Sequence, residues 1–332
     1  MRRFFALTVA SCLLATGVAG GSAGAAVTAK ADDRFLNTRT TSVGTAPALT
    51  DLIGCSTACP TPNPANAFAT ETVDGKNHRV LGFSSDNGLS LAPTTGVASN
   101  DTYTVVVLFR LHTLTKWNRI LEFANGTRDP GLYLNPSNAL TFWPLTNGGA
   151  TIVAPDQYVQ VALTRDGATG TVTGYVDGVQ QWQFNDSLSY AVIDSNNTLH
   201  FFQDNTSNGT QREDSAGAVA RIRVYGTALS ATAVAALDRA APAPKLALSA
   251  SSGSPGSSLT VTGTNFGPVE NVKLTFVDSV GVKTPIGSVS SNVAGGFSKS
   301  VTIPAGAASG QGRVVAAGVT SKLSAKKPFT VV

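Results

Sequence analysis

Tyr158 to Phe184 reads YVQVALTRDGATGTVTGYVDGVQQWQF. Taken two residues at a time, Val159, Val161 and Leu163 fall on one face, and Gln160, Ala162 and Thr164 on the other. That is the period of a half-buried strand. Asp166 to Gly170 supplies turn residues. Thr171 to Val176 resumes the alternation, with Val172 and Val176 opposite Thr171, Thr173 and Tyr175. Asp177-Gly178 then closes a second hairpin, because this pair tolerates the positive φ a tight turn needs. Val179 to Phe184 is the third strand. Three antiparallel strands form a meander with one apolar face, and that face needs a second layer to cover it.

The same grammar extends outward. Short strands are expected at Val80–Phe83, Gly88–Ala92, Trp117–Phe123, Gly131–Asn135, Ala139–Trp143, Thr198–Gln203 and Val219–Tyr225. Tyr103–Leu111 is apolar on both faces, as befits a central strand covered on both sides. Ser230 is placed to cap a short helix over Ala231–Leu237. Ala240-Ala241-Pro242-Ala243-Pro244 favours extended backbone and reads as a stiff linker over 240–245.

These residues carry a resemblance. "VALTRDGATGTVTGYVDGV", "AGAVARIRVYGTALSATAVAAL" (Ala216–Leu237), "YTVVVLFRL" and "NRILEFANGTRDPGLYLNPSNALTFW" resemble the laminin-G-like, concanavalin A-like lectin/glucanase sandwich. The resemblance implies an all-β, concanavalin A-like jelly roll over 32–239. That fold hosts lectins, adhesion modules, glycosidases and lyases, so it assigns no function. "SPGSSLTVTGTNFGP" (Ser254–Pro268) and "GGFSKSVTIPAGAASGQGRVVAAG" (Gly295–Gly318) resemble bacterial immunoglobulin-like, IPT/TIG-type repeats. They imply a smaller Ig-like β-sandwich over 246–332.

Composition agrees with this division. Of 332 residues, 42% are hydrophobic and 13% charged, which fits a globular chain rather than a disordered one. Residues 32–245 hold 14 Lys+Arg against 18 Asp+Glu, whereas 246–332 hold 7 against 2. A mildly acidic module thus precedes a basic one. Excess positive charge points either to a solvated surface or to an anionic wall polymer or membrane surface as partner. No recognition motif for nucleic acid accompanies it.

Met1 to Ala31 reads as a secretory signal. Arg2-Arg3 is followed by a mostly apolar run, and small residues crowd the stretch up to Ala31. Cleavage after Ala26 or after Ala31 fits the small-residue rule. The protein is therefore expected to be secreted, extracellular and associated with the cell surface, with no membrane span in the mature chain. Export leaves Cys55 and Cys59 as the remaining cysteines. In an oxidising compartment a disulfide is expected between them, closing a short loop. Zinc is a poor rival, because tetrahedral zinc wants four ligands and no histidine lies nearby.

For chemistry, glycoside hydrolysis needs two carboxylates flanking one bond. Glucanases of the resembled superfamily carry them as Glu-x-Asp-x-Glu on one strand, and no such run occurs. The chain has four glutamates, at 71, 122, 213 and 270. No nucleophile elbow, Walker loop or zinc-protease motif is present. A non-catalytic binding protein is the leading expectation. A hydrolase or lyase with an unrecognised site, or a purely structural surface protein, is the alternative. Sugar rings stack on aromatic faces while amides read their hydroxyls. Of Trp117, Tyr133, Trp143 and Trp182, the tryptophans at strand ends are the favoured ligand contacts, Trp117 and Trp143, with Asn147 in the loop beyond. Calcium takes six to eight oxygens. Asp204, Glu213 and Asp214, around an Asn- and Gly-rich loop, are the candidate ligands for it, as the resemblance also implies.

Overall fold

The computed structural model describes residues 27–54, 62–204 and 213–332. Most of the expected signal segment, and both Cys55 and Cys59, lie outside the described residues. Among the described residues the chain is all-β apart from one short helix.

Among the described residues fourteen strands build the first module. They are β1 (Ala31–Asp33), β2 (Thr50–Leu52), β3 (Ala67–Val73), β4 (Lys76–Phe83), β5 (Gly88–Leu91), β6 (Tyr103–Leu111) and β7 (Asn118–Glu122). There follow β8 (Gly131–Leu134), β9 (Leu140–Trp143), β10 (Val159–Asp166), β11 (Thr171–Val176), β12 (Val179–Asn185), β13 (Leu199–Phe201) and β14 (Gly217–Tyr225). They form two sheets. The larger runs β12-β11-β10-β6-β14-β4-β3, with β1 also paired to β14; the smaller runs β2-β5-β13-β7-β8-β9.

The alternation of the meander decides which side chains lie between the sheets. Val159, Val161, Leu163, Val172 and Val176 join one core with Val105, Val107 and Phe109 of β6 and with Leu132, Leu140 and Phe142 of the smaller sheet. Each such side chain contributes roughly 1.5–3 kcal/mol on burial. The opposite face is covered too: Ala162, Tyr175 and Val106 pack beneath Val234 of the helix α1 (Ala231–Ala235). Ser230 caps that helix by accepting from the Ala233 amide. Asp177 and Gly178 sit at φ 47° and 81°, as a tight turn of this type demands. Asp74 and Gly75, at 48° and 75°, build the same turn between β3 and β4. Gly174 is required for a different reason. A Cβ there would stand 2.4 Å from the Trp182 ring, which fills that space.

The strand β1 begins inside the expected signal boundary. Ala31 is fully buried and pairs with Val224, and the Lys30 amide donates to the Val224 carbonyl at 2.7 Å. Asp32 turns to the outer side, where both its oxygens accept from Arg221, at 2.7 and 3.0 Å, and one also from Arg34 at 2.8 Å. Burial pushes this carboxyl up, but the two guanidiniums outweigh burial and hold it below the ordinary aspartate range. Asp33 points the other way, opposite Ile222 in the core. It is 1% exposed, and neither carboxyl oxygen has a partner among the described residues.

The second module has its own core. Its strands are β15 (Lys245–Leu248), β16 (Ser252–Gly253), β17 (Ser258–Thr264), β18 (Asn271–Val277), β19 (Lys283–Ser290), β20 (Phe297–Thr302), β21 (Gly310–Gly318) and β22 (Ser324–Val331). A three-stranded sheet, β15-β17-β20, faces a five-stranded one, β16-β22-β21-β18-β19. Phe266, Phe276, Phe297 and Phe329 fill the space between. Among the described residues no helix is long and apolar enough to cross a membrane.

Candidate functional site

The strands β7, β8 and β9 end the smaller sheet. Alternation sends Leu132, Leu134, Leu140 and Phe142 into the core and leaves Tyr133, Thr141 and Trp143 on the outer face. Trp117, one residue before β7, meets both aromatics there. Its ring centroid lies 5.7 Å from Tyr133 and 5.2 Å from Trp143, each in an edge-on arrangement. Trp143 is 42% exposed, Trp117 half-buried, and Tyr133 buried. The structure thus brings together the two tryptophans singled out from the sequence. Edge-on packing fixes the rings without covering the outermost one. Trp182 is different: it is a core residue, its indole Nε1 donating to the Leu140 carbonyl at 2.8 Å.

Asn147 is exposed in the loop after β9. The loop folds back on its own strand. The amides of Leu145 and Thr146 donate to the Phe142 carbonyl at 2.8 and 2.9 Å, and Gly149 to Leu140 at 2.9 Å. Gln181 of β12 accepts from the Thr151 amide at 2.9 Å and ties the loop to the larger sheet. Asn147 and Trp143 are therefore carried on one anchored segment.

Beneath the aromatics lies a residue that the sequence reading passed over. Arg119 is 1% exposed and stands 4.6 Å from the Tyr133 ring centroid. Its Nε donates to Asp204 at 3.2 Å, and its Nη2 donates to the Asp129 carbonyl at 3.0 Å. The Tyr133 hydroxyl donates to the same carbonyl at 2.8 Å. Arg119 therefore locks Tyr133 from below, and Tyr133 supports Trp117. Burial, then the charges of Asp204 and Asp129, push the Glu213 carboxyl above its ordinary range. Glu122, further along β7, is raised by burial, while the amides of Gly126 and Ala124 draw it down.

Two of the three candidate calcium ligands accept from cations of the protein. Asp204 accepts from Arg119 and from the Glu213 amide, the latter at 3.1 Å. Asp214, buried, accepts from Lys116 Nζ at 2.9 Å. Among the described residues no group of three or more His, Cys, Asp or Glu is arranged to hold a metal. Protein cations thus reach Asp204 and Asp214, while the loop that joins Asp204 to Glu213 lies outside the described residues.

A separate cavity of about 410 Å³ lies where the modules meet, lined by Leu36, Val73, Lys76, Arg79, Pro242 and Leu323 among others. It contains no Trp or Tyr, so it offers no stacking surface.

Residues 83–235 match the family model for the concanavalin A-like lectin/glucanases superfamily, Laminin_G_3. That stretch holds β5 to β14, the helix α1 and the whole aromatic platform. No curated protein matches the chain. Among solved structures, domain 4 of AbnA, an extracellular arabinanase from Geobacillus stearothermophilus solved with arabinotriose, is 18% identical. It aligns over 63% of this chain and 97% of its own, with a TM-score of 0.48. The CBM40 of the Ruminococcus gnavus IT-sialidase, bound to α2,3 sialyllactose, is 16% identical over 47% of this chain and 95% of its own, with a TM-score of 0.39. Trypanosoma rangeli sialidase is 15% identical, and the match spans 29% of that chain, with a TM-score of 0.37. At these identities and scores the likenesses assign no ligand. The family match ends at 235, so the immunoglobulin-like reading of the second module stays a proposal.

Proposed function

We propose that the protein is a secreted, non-catalytic glycan-binding protein whose first module seats a sugar ring on Trp143. The observation that carries this is the exposed Trp143 ring, buttressed by Trp117 and, through Tyr133, by the buried Arg119. A pyranose presents C–H groups to such a face, and the platform is preorganised, so little side-chain entropy is lost on binding. Asn147, on the same anchored loop, is the amide proposed to read the hydroxyls. A glycan array followed by calorimetry on the tightest binder is the test. Trp143→Ala should weaken that binder at least tenfold, the scale of a stacking anchor. Val179→Ala, an exposed change on β12 of the other sheet, should leave it unchanged. Equal affinities for the Trp143→Ala protein and the parent would overturn the assignment. A calcium contribution remains a separate proposal, tested by melts in excess calcium and in chelator.

Export carries a structural condition. Cutting after Ala31 would place a new ammonium on Asp32, which is 3% exposed and ion-paired with Arg221. It would also remove the residue whose amide bonds Val224. Cutting after Ala26 spares both. The mature protein is therefore expected to begin at Val27, and N-terminal sequencing that returns Asp32 would refute this.

A further inference from the structure

The second module hides its acids and displays its cations. Glu270, 3% exposed, accepts from the amides of Gly267, Thr320 and Ser321 at 2.6, 2.9 and 2.8 Å. Asp278 accepts from the amides of Val280, Val282 and Ala308 at 3.1, 2.8 and 3.3 Å and holds the β18–β19 turn. Those are the only two acidic side chains in 246–332. Its seven cations, in contrast, are all exposed, and none enters an ion pair among the described residues. In the first module arginines such as Arg119, Arg165, Arg221 and Arg223 are buried in ion pairs. Positive charge there is consumed by the fold; in the second module it is left facing solvent.

Four of the seven share one surface. Val272, Leu274, Phe276, Val314, Ala316 and Phe329 point into the core, so the alternate positions of β18, β21 and β22 point out. Val277 pairs with Lys283 on one side and Arg313 on the other. Val315 pairs with Thr275 and with Lys326. Lys273 lies further along β18 on the same face. Ladder spacings place Lys283 and Arg313 about 10 Å apart at the backbone, and Arg313 and Lys326 about 8 Å apart. Lys273 stands about 14 Å along the strand direction from the first row. These separations are comparable to the screening length at physiological salt, so neighbouring potentials add. The cations are spread across the sheet face and line neither cavity of the molecule, which suits an extended partner better than a small anion.

We propose that the outer face of the five-stranded sheet, through Lys273, Lys283, Arg313 and Lys326, binds a linear phosphate-bearing polymer. Three of the four are lysines, point charges that follow a chain of phosphates without the fork geometry a carboxylate selects. The opposing source of the same anion is a bilayer. A bilayer would use the exposed Val280 and Val282 at the hairpin tip, which are 74% and 57% exposed.

The test uses the full chain and long-chain inorganic polyphosphate, followed by fluorescence anisotropy across a salt series. Binding is expected, with a log–log salt slope of about −3, from roughly 0.7 released counterions per contacted charge on a flexible strand. Changing all four residues to Gln should weaken binding more than tenfold, and each single change should lower the slope by about 0.7. Lys299→Gln, Lys322→Gln and Lys327→Gln together should leave affinity within about threefold, as charges off the contact face do. Equal loss from the triple and the quadruple variant would mean diffuse net charge and would overturn the proposal. So would binding to anionic phospholipid vesicles without binding to polyphosphate, abolished by Val280→Ser with Val282→Ser. Unchanged melting of every variant establishes that the sites, and not the fold, were altered.

Discussion

Replacing Asp33 with asparagine is expected to remove a fall in stability of about 1.4 kcal/mol per pH unit above the ordinary aspartate range. Asp33 lies in the core with both oxygens unpartnered among the described residues. Burial, and secondarily the charge of Asp32, push its carboxyl well above the value it has in an unfolded chain. The folded protein therefore holds a proton that the unfolded chain releases above its ordinary pKa of 3.8. Where the folded state binds more protons, stability falls as pH rises. Asp33 should thus weaken the protein progressively from about pH 4 up to its folded pKa, and the loss should then level off. Asparagine has nearly the same shape and cannot ionise. Urea unfolding of the parent and of Asp33→Asn between pH 4 and 8 checks this. The two should agree near pH 4, and the variant should become the more stable as pH rises. Parallel curves would mean that the carboxyl finds a partner or that water reaches it. Other groups add their own slopes, Asp32 and Glu71 of opposite sign. Taking the difference between variant and parent isolates Asp33.

Trp182→Ala is expected to cost the first module about 3–5 kcal/mol, the range for deleting a large buried aromatic. The ring packs against Phe142 and Phe184, at centroid distances of 6.3 and 5.8 Å, and lies over Gly174. Its indole also bonds the Leu140 carbonyl, joining the edge of one sheet to the edge of the other. Alanine leaves a cavity beside two aromatics and an orphaned carbonyl. For a module of this size the loss corresponds to a melting temperature lower by roughly 10 °C. Trp182→Phe should recover part of the packing but not the hydrogen bond. Calorimetric scans of the three proteins would show the graded series, and a Trp182→Ala melt within about 2 °C of the parent would refute it. Because Leu140 and Trp143 belong to one strand, glycan binding should weaken in step with this loss.

The strands that read clearly in the sequence are those whose apolar pattern is regular. β10 and β11 read with their faces correctly assigned, since the core sorts side chains by the same period of two, and β6 reads as apolar on both faces and is covered on both. β1 gave no such sign. Ala31-Asp32-Asp33 has two acids in three residues, and it is a strand because Arg221, far along the chain, receives Asp32. β3 was hidden for a related reason. Asp74-Gly75 carries the same turn signal as Asp177-Gly178, but AFATETV has a mostly exposed pattern and reads as loop. At the site, Trp117 and Trp143 were legible as aromatics at strand ends. Their support was not. Arg119 meets Tyr133 through the β7–β8 register, which slips between Arg119 and Leu121, and a slip of that kind leaves no mark in composition. Asp204 and Asp214 read as candidate ligands for a cation, but their ion pairs with Arg119 and Lys116 were not legible, because those partners arrive from a different part of the chain.

The position of β14 governs the order in which this molecule can assemble. It is the seam of the larger sheet: β6 lies along one edge, and β4 and then β1 lie along the other. Until it is in place, the β3–β4 hairpin and the β6–β10–β11–β12 block share no ladder, and β1 has nothing to join. A ribosome delivers β1 first and β14 last, with nearly the whole module between them. The sandwich is therefore a slow, late-closing fold of high contact order. Its apolar inner faces stay open to holding factors until the stretch ending at Tyr225 has emerged.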